Sequence, residues 1–320
     1  MKRITCLLFA LIVFGCDQGE VKTVVQKEKV VINEAVRTIL YLPLYHAKEK
    51  KFFEEQGIDV EIETAGTATA SFAAMLNGSA DFSLADPMYV PISRESGAKT
   101  KLVAQVVGRI AVWGVSKNPD LDALNSSNIK GLTISTHPQP MTAYTYTVKA
   151  ITDAGLKPDV DVIIKQIRPP NEISAMLQDQ ADVAFTLEPN TSIAVSMGAK
   201  VVKSYPSELG DQIFTGLMTS ESYIENHPDT TMRVVGAIQK ALDDLHKNPD
   251  AGIETAAIYF EGLNREVIST AVARMVNEQV IPKSVIPTVE SWSKAIQVRL
   301  DVGDLKKPVE LSEAYYSAEQ

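Results

Sequence analysis

The stretch LYLPLYHAKEKKFFEEQGIDVEIETAGTAT, from Leu40 to Thr69, decides the fold of this 320-residue chain. Its pattern predicts the end of a strand, a loop, a helix, a second strand, a second loop and the start of another helix. Both loops follow a strand and precede a helix, which is where ligands bind in open α/β sheets. The stretch therefore predicts both an α/β fold and the position of a binding site.

Short apolar strands alternate with helical patterns on both sides of this stretch. The first part of the chain is predicted to contain strands at 36–40, 58–62, 81–84 and 102–107, with helices at 44–56 and 68–76. A second α/β unit has predicted strands at 133–135, 160–167, 182–186 and 200–203, separated by helices at 141–154, 172–178 and 189–197. This alternation favours parallel-rich sheets covered by helices.

Two extended apolar stretches, IAVWGVS from Ile110 and FTGLMT from Phe214, flank the second unit. After them the chain is predicted to be nearly all helical, at 229–247, 250–260, 264–276 and 289–302. The economical architecture is two lobes joined by two adjacent crossovers, which form a hinge that a ligand between the lobes would close. Lobe one is predicted to comprise 33–112 and 217–320, with the C-terminal helices packed on it, and lobe two 113–216.

The first residues are typical of a targeting segment. Lys2 and Arg3 precede an apolar run that is too short to span a bilayer, and Cys16 follows it directly. Val13-Phe14-Gly15-Cys16 resembles a bacterial lipobox, which predicts a signal peptide at 1–15, lipidation of Cys16 and a flexible tether at 16–32. An ordinary signal peptide with an incidental Cys is the alternative. The lipoprotein interpretation anchors the chain to the outer face of the cytoplasmic membrane, facing the periplasm or the exterior.

Composition argues against several function classes. The formal net charge is −9, which disfavours general nucleic-acid binding. The two cysteines, Cys6 and Cys16, both fall in the targeting segment, so we expect no disulfide framework and no Cys-based metal site. The four histidines match no metal-binding spacing, and no GxSxG, P-loop or GxGxxG motif is present. We therefore expect neither a cofactor nor a metal.

Five segments then occur in one order along the chain, at 43–62, 73–87, 128–136, 175–189 and 248–252 (PLYHAKEKKFFEEQGIDVEI, AAMLNGSADFSLADP, NIKGLTIST, AMLQDQADVAFTLEP and NPDAG). Together they resemble the periplasmic substrate-binding proteins of ABC importers in the nitrate, sulfonate, taurine and thiamine-precursor group. The resemblance implies a type II periplasmic-binding fold. It also implies a monomeric binding protein, not an enzyme, that delivers a small molecule to a membrane permease with its ATPase. Two departures are Lys51, where the family usually has Gly, and Trp113, where it usually has a smaller residue.

The loops that follow the predicted strands supply the candidate ligand-binding residues. In lobe one these are Tyr41, Leu42, Tyr45, Gly66, Thr67, Thr69 and Asp86; in lobe two they are Thr136, His137, Gln139, Thr142 and Glu188; Trp113 and Phe214 lie on the crossovers. Each has a structural alternative. The Tyr and Leu residues can pack, the threonines and Asp86 can cap helices, Glu188 can complement a helix dipole, and Trp113 can pack at the hinge.

The chemistry of these loops favours one ligand class slightly. An acidic Glu188 in the cleft would accept hydrogen bonds from an amine or an amino-pyrimidine and repel a bare anion. Arginine is scarce in the predicted loops, whereas a sulfonate or nitrate favours arginine. We therefore expect a heterocyclic or aromatic molecule such as a thiamine precursor, with a sulfonate as the alternative. A lipoprotein that serves as sensor input and a biosynthetic enzyme of the same fold are the alternative functions.

Overall fold

The structure is a computed structural model that describes residues 27–139, 141–301 and 303–317. The predicted signal peptide and the lipidation site Cys16 lie outside the described residues. Along these three ranges, no helix is both long enough and apolar enough to cross a membrane.

Ten strands form two five-stranded sheets within the described residues. They are β1 (Glu28–Glu34), β2 (Ile58–Thr64), β3 (Phe82–Ala85), β4 (Thr100–Val107), β5 (Trp113–Ser116), β6 (Thr133–Thr136), β7 (Ile163–Gln166), β8 (Val183–Thr186), β9 (Lys200–Ser204) and β10 (Thr215–Ser220). The first sheet has the order β2-β1-β3-β10-β4 and the second β7-β6-β8-β5-β9. In each sheet four strands share one direction, and one strand, β10 in the first sheet and β5 in the second, runs antiparallel between two of them.

Helices cover both sheets. They are α1 (Leu42–Glu49), α2 (Phe52–Glu55), α3 (Ala68–Leu76), α4 (Tyr89–Glu95), α5 (Thr142–Asp153), α6 (Asn171–Leu177), α7 (Asn190–Ser196), α8 (Tyr205–Leu209), α9 (Glu221–Asn226), α10 (Pro228–Lys247), α11 (Pro249–Tyr259), α12 (Arg265–Asn277), α13 (Val289–Asp301) and α14 (Leu311–Ala314). We call the first sheet with its helices lobe one and the second with its helices lobe two. The C-terminal helices pack on lobe one; Trp292 of α13, for example, lies in one core cluster with Leu102 and Met218.

The first strand lies upstream of its predicted position. Residues 36–40 are not a strand; β1 is Glu28–Glu34, and Ile39–Tyr41 form a 3₁₀ turn that Thr38 caps. Strand β1, with its β-branched run VVI, pairs in parallel with β2 on one side and β3 on the other, so it joins these two strands in the sheet. The tether predicted for 16–32 is consequently wrong from Glu28 onward.

The helix predicted for 44–56 is two helices separated by a sharp break. Lys51 lies in the left-handed region with φ of 62°, between α1 and α2. A side chain in this conformation costs about 1–2 kcal/mol relative to the right-handed region, and Gly avoids the cost. This cost explains why Gly is favoured at such a break, and the family that the chain resembles usually has Gly where this chain has Lys51.

Two neighbouring crossovers join the lobes. Gln212 N donates to Gly108 O at 3.0 Å, and Phe214 N donates to Val107 O at 2.9 Å, so the outgoing and returning segments run side by side. Strand β5 pairs in the second sheet and β10 in the first. Thr215, which the predicted division assigns to lobe two, already pairs with β4 of lobe one.

Candidate functional site

Three residues predicted from separate parts of the sequence line one cavity between the lobes. Asp86 follows β3 of lobe one, Thr142 begins α5 of lobe two, and Phe214 lies on the returning crossover. The cavity is also lined by Met88, Ile110, Thr145, Tyr146, Gln212, Ile213, Ala295, Val298 and Arg299. Its volume of about 20 Å³ has room for about one water molecule, so the lobes must part to admit an organic molecule.

On the lobe-one side of this cavity, Asp86 holds an arginine that sequence reasoning missed. Asp86 Oδ1 caps the backbone N–H of Met88 at 2.9 Å, and its other oxygen pairs with Arg299 of α13. Arg299 Nη1 also pairs with Asp304 at 2.9 Å. The pKa of Arg299 is raised, first because of the Asp86 carboxylate. In the sequence, Arg299 is only a basic residue in the last turn of a helix, far from the predicted loops.

The lobe-two side of the cavity combines the start of α5 with a buried tyrosine. Thr142 is the first residue of this 12-residue helix, and the residue before it, Met141, provides no side-chain cap. Gln212 Nε2 donates to the Tyr146 hydroxyl at 2.5 Å, which ties the returning crossover to α5. Burial raises the pKa of Tyr146, so its hydroxyl is neutral. The cavity wall therefore combines Thr142 and Tyr146 of lobe two with the Asp86–Arg299 pair of lobe one.

The three predicted residues that follow β1, two tyrosines and a leucine, are buried and do not line this cavity. Leu42 and Tyr45 are fully buried, and Tyr41 is buried too. The Tyr45 hydroxyl donates to Glu34 at 2.5 Å, and its ring stacks on Tyr259 with centroids 4.3 Å apart. In this conformation all three residues pack in the protein interior, which is the structural alternative to a ligand role.

The loop before α3 caps its helix. The Thr67 hydroxyl accepts from the N–H of Ala70 at 3.1 Å, and the Thr69 hydroxyl lies 2.8 Å from the Tyr89 hydroxyl. Gly66 has φ of 87°, the left-handed conformation that the turn into the helix requires. These exposed residues are not among those lining the interlobe cavity, and a ligand role for them stays a prediction.

Trp113 is fully buried at the hinge. Its indole Nε1 donates to Glu278 Oε2 at 3.1 Å, at the end of α12 in lobe one. Ser207 donates to the same oxygen at 3.1 Å, and Ser204 also donates to it. The ring therefore has no face open for stacking in this conformation, which favours hinge packing over ligand stacking.

Glu188 crosses the interface but binds protein groups. Its carboxylate accepts from the Ser192 N–H at 3.1 Å and hydroxyl at 3.0 Å, and it pairs with Arg274 of α12 in lobe one. Its backbone oxygen accepts from Thr38 at 3.4 Å. Burial raises the pKa of Glu188, against the opposing effect of Arg274. The predicted ligand acceptor is thus an interlobe contact in this conformation.

The loop after β6 places its predicted residues in different surroundings. Thr136 is buried and accepts from Thr147 at 3.0 Å, whereas Gln139 is exposed, with its N–H donating to Gln166 at 2.9 Å. His137 is only 2 % exposed and lies 3.3 Å from Oε1 of the fully buried Glu172. Sequence reasoning missed Glu172, which looks like an ordinary acidic residue in the first turn of α6.

Arg37 is a further omission with an identifiable cause. It donates to Glu34 at 2.6 Å and to Thr64 at 3.2 Å, in the loop after β1. Because the first strand was predicted at 36–40, Arg37 was placed inside a strand and not in a loop.

Across the described residues, no group of three or more His, Cys, Asp or Glu side chains is arranged to hold a metal ion.

Two five-stranded mixed sheets, two crossovers and a cavity between the lobes define a type II periplasmic-binding fold. The NMT1/THI5 like family model matches residues 39–252, more than half of the chain, and the chain belongs to this family. It is 26 % identical over 312 residues to YtlA of Bacillus subtilis (strain 168), a protein provisionally named as a binding protein, covering 95 % of this chain and 90 % of YtlA.

Two solved structures show the same fold. The periplasmic aliphatic sulphonate binding protein SsuA from Escherichia coli has a TM-score of 0.73 at 16 % identity, over 90 % of this chain and 97 % of that one. The desulfurization enzyme DSZB has a TM-score of 0.66 at 14 % identity, over 90 % of this chain and 96 % of that one. The fold thus serves both a binding protein and an enzyme.

Proposed function

We propose that this protein is the solute-binding component of an ABC importer, which captures a small organic molecule between its lobes and delivers it to a permease. The observation that carries the proposal is that Asp86, Thr142 and Phe214, from lobe one, lobe two and a crossover, line one cavity. A cavity shared by both lobes and the hinge is what a closing clamp requires. Lipidation at Cys16 would hold the clamp beside the permease.

The cavity wall favours a polar organic ligand. Ligand pockets commonly measure about 300–1,000 Å³, so capture requires opening from the present cavity of about 20 Å³. On opening, Tyr146, Gln212 and the first N–H groups of α5 become available as hydrogen-bonding groups, while Phe214 supplies apolar surface. The Asp86–Arg299 pair offers both charges, and Asp86 offsets the attraction of Arg299 for a bare anion.

Thermal unfolding with a panel of compounds tests the proposal, because a ligand that binds the native state raises the melting temperature. The panel comprises taurine, nitrate, riboflavin and 4-amino-5-hydroxymethyl-2-methylpyrimidine. Thr145→Trp fills the cavity and should abolish any shift, whereas Thr152→Trp, exposed on the same helix, should retain it. A folded wild type that responds to no compound, or equal responses from the two variants, would contradict the proposal.

The fold shared with a desulfurization enzyme makes catalysis the second candidate. Mass spectrometry of any compound recovered after prolonged incubation with the protein separates the two functions. A binding protein returns the compound unchanged at stoichiometric amounts, whereas an enzyme converts an excess of it.

A further inference from the structure

A second cavity lies at the end of the lobe-one sheet opposite to the interlobe cavity. Asp81 directly precedes β3 and lines the second cavity, whereas Asp86 directly follows β3 and lines the interlobe cavity. The second cavity has a volume of about 280 Å³, close to the lower limit of about 300 Å³ for ligand pockets. Its walls are the end of α3 with the loop after it, and the end of β10 with α9. We call it the lobe-one cavity.

The wall formed by α3 and its loop has a counterpart in lobe two. The sequence MLNGSAD at 75–81 corresponds to MLQDQAD at 176–182, and each segment leads from a helix into a parallel strand. Asp81 and Asp182, which end the two segments, each accept through Oδ2 from a backbone N–H of the neighbouring strand, at 2.8 and 2.7 Å. The two lobes are therefore built alike at this point, and they can be compared residue by residue.

The antiparallel strands next to these segments extend the comparison. Thr219 of β10 and Ser116 of β5 donate their hydroxyl hydrogens to the backbone oxygens of the two aspartates, both at 2.6 Å. The next residues, Ser220 in lobe one and Lys117 in lobe two, consequently occupy equivalent positions. The lobes differ here, because a lysine in one corresponds to a serine in the other.

In lobe two the Lys117 ammonium group binds the equivalent segment. Its Nζ donates to the Leu177 backbone oxygen at 2.7 Å and lies 3.1 Å from Asp179 Oδ1. In lobe one, Ser220 is too short to reach that far, and Gly78 stands where Asp179 stands, so the lobe-one cavity opens there. Among the described residues that line it, none is a lysine or an arginine. The cavity thus lies where the other lobe holds an ammonium group.

The walls of the lobe-one cavity suit an ammonium group that carries an alkyl chain. The Asp81 carboxylate provides the opposite charge, and hydroxyl oxygens such as that of Ser220 can accept from the three N–H donors of the ammonium. Burial and then the Asp81 and Glu28 carboxylates raise the pKa of Tyr223, so negative charge dominates around this wall residue too. Met75 supplies apolar surface for the chain. A bare anion would instead meet Asp81 with like charge.

We infer that the lobe-one cavity binds the protonated form of a small primary alkylamine, whose ammonium group takes the place that Lys117 occupies in lobe two. The site is distinct from the interlobe cavity, because the two lie at opposite ends of β3. The inference therefore goes beyond the proposed function and does not rest on it.

Isothermal titration calorimetry with n-butylamine tests the inference. This amine carries the four-carbon chain and the ammonium group of a lysine side chain, and it is protonated at about pH 7 as lysine is. Tetramethylammonium has the same charge but no N–H donor, and butyrate has a similar chain with the opposite charge. We expect the protein to bind one molecule of n-butylamine and neither of the two control compounds.

Two variants should remove the site. Asp81→Asn keeps the size of the side chain but removes its negative charge, and it should weaken butylamine binding at least fivefold. Ser220→Lys places an ammonium group in the cavity, as in lobe two, and should abolish binding. The matched controls are Asp59→Asn, exposed on β2, and Ser196→Lys, exposed on α7, and both should bind like the wild type. If Ser220→Lys does not fold because Ser220 caps α9, Asp81→Asn decides the test alone.

Thr145→Trp, which fills the interlobe cavity, should leave butylamine binding unchanged. A folded wild type that does not bind butylamine would overturn the inference. Equal binding of tetramethylammonium would overturn it too, as would an affinity within twofold of wild type in the site variants. Loss of binding in Thr145→Trp would place the amine between the lobes, and that result would also overturn the inference.

Discussion

Arg274 of α12 in lobe one pairs with Glu188 after β8 in lobe two, and it also donates to Ser192 at 3.0 Å. Both charged side chains are largely withdrawn from water, at 13 % and 0 % exposure. One turn further along α12, Glu278 accepts from Trp113 of lobe two. The end of α12 thus holds lobe two at two neighbouring points.

Removing Arg274 should destabilise the protein strongly. Arg274→Met leaves the Glu188 carboxylate buried without its cation, and such a loss costs about 3–5 kcal/mol. Arg265→Met, on the same helix, breaks an exposed pair with Glu254 that water screens, and it should change stability little. Urea unfolding gives both values. Equal losses in the two variants would show that the interlobe pair contributes no more than a surface pair.

Trp113→Phe tests the hinge contact. The substitution keeps an aromatic ring but removes the N–H donated to Glu278, and a hydrogen bond to a charged group contributes about 1.5–3 kcal/mol. Trp292→Phe is the matched control, because its buried indole donates to the neutral Val309 carbonyl at 2.7 Å. We expect the larger loss of unfolding free energy at Trp113, with affinity for any interlobe ligand within twofold of wild type. A larger affinity loss would assign the ring to the ligand.

Lys51→Gly should stabilise the protein by about 0.5–1 kcal/mol. Gly relieves the left-handed strain between α1 and α2, although it adds some entropy to the unfolded chain. Lys51→Ala retains the strain and should change stability little. Thermal unfolding measures the stability of both variants. A Gly variant that is less stable than the Ala variant would contradict the claim that the backbone at Lys51 is strained.

Gly216 and Gly236 should respond to alanine in opposite directions. A Cβ at Gly216 of β10 would lie 2.3 Å from a Leu102 methyl and 3.2 Å from the Ala104 oxygen, so overpacking should cost about 1–3 kcal/mol. A Cβ at Gly236, inside α10, meets no atom within 4 Å, so alanine should add about 0.5–1 kcal/mol. Chemical denaturation of the two variants tests this contrast. Changes of the same sign in their unfolding free energies would refute it.

Acid should remove the stabilisation that the Glu172 carboxylate provides. Burial raises the pKa of Glu172, but His137, Thr186 and Asn190 outweigh it, so the net pKa is below the ordinary 4.5. The unfolded state therefore binds the proton more readily, and the contribution is complete above about pH 5 and falls as the pH passes through the folded pKa. Glu172→Gln should lose less stability than wild type between about pH 5 and 3, as measured by urea unfolding at each pH.

The sequence predicts elements well where one local signal is enough. The α3 helix occupies 68–76 as predicted, and Asn248-Pro249 ends α10 close to the predicted residue. The predicted position of the first strand is wrong because the apolar run at 36–40 resembles a strand more than EKVVINE, the sequence of β1, does. Only pairing with β2 and β3, distant in sequence, identifies β1 as the strand between them.

The site was predictable only in part, for the same reason. Asp86 and Thr142 follow from the rule that ligands bind at strand ends, Phe214 from its place on a crossover, and all three line the cavity. Arg299 comes from a helix more than two hundred residues after Asp86, and no spacing in the sequence joins the two. Glu188 was placed correctly at a strand end, but its partner Arg274 lies on a distant helix that sequence alone could not bring there.

The strand order of lobe one has a consequence for synthesis. Strand β4 is joined to its sheet only through β10, which lies between β3 and β4. All five strands of lobe two fall between β4 and β10 in the chain. Whether the chain emerges from the ribosome or from the export machinery, its N-terminal strands come first, and the second lobe can close its sheet while the first is still divided. The lobe that begins first is therefore completed last.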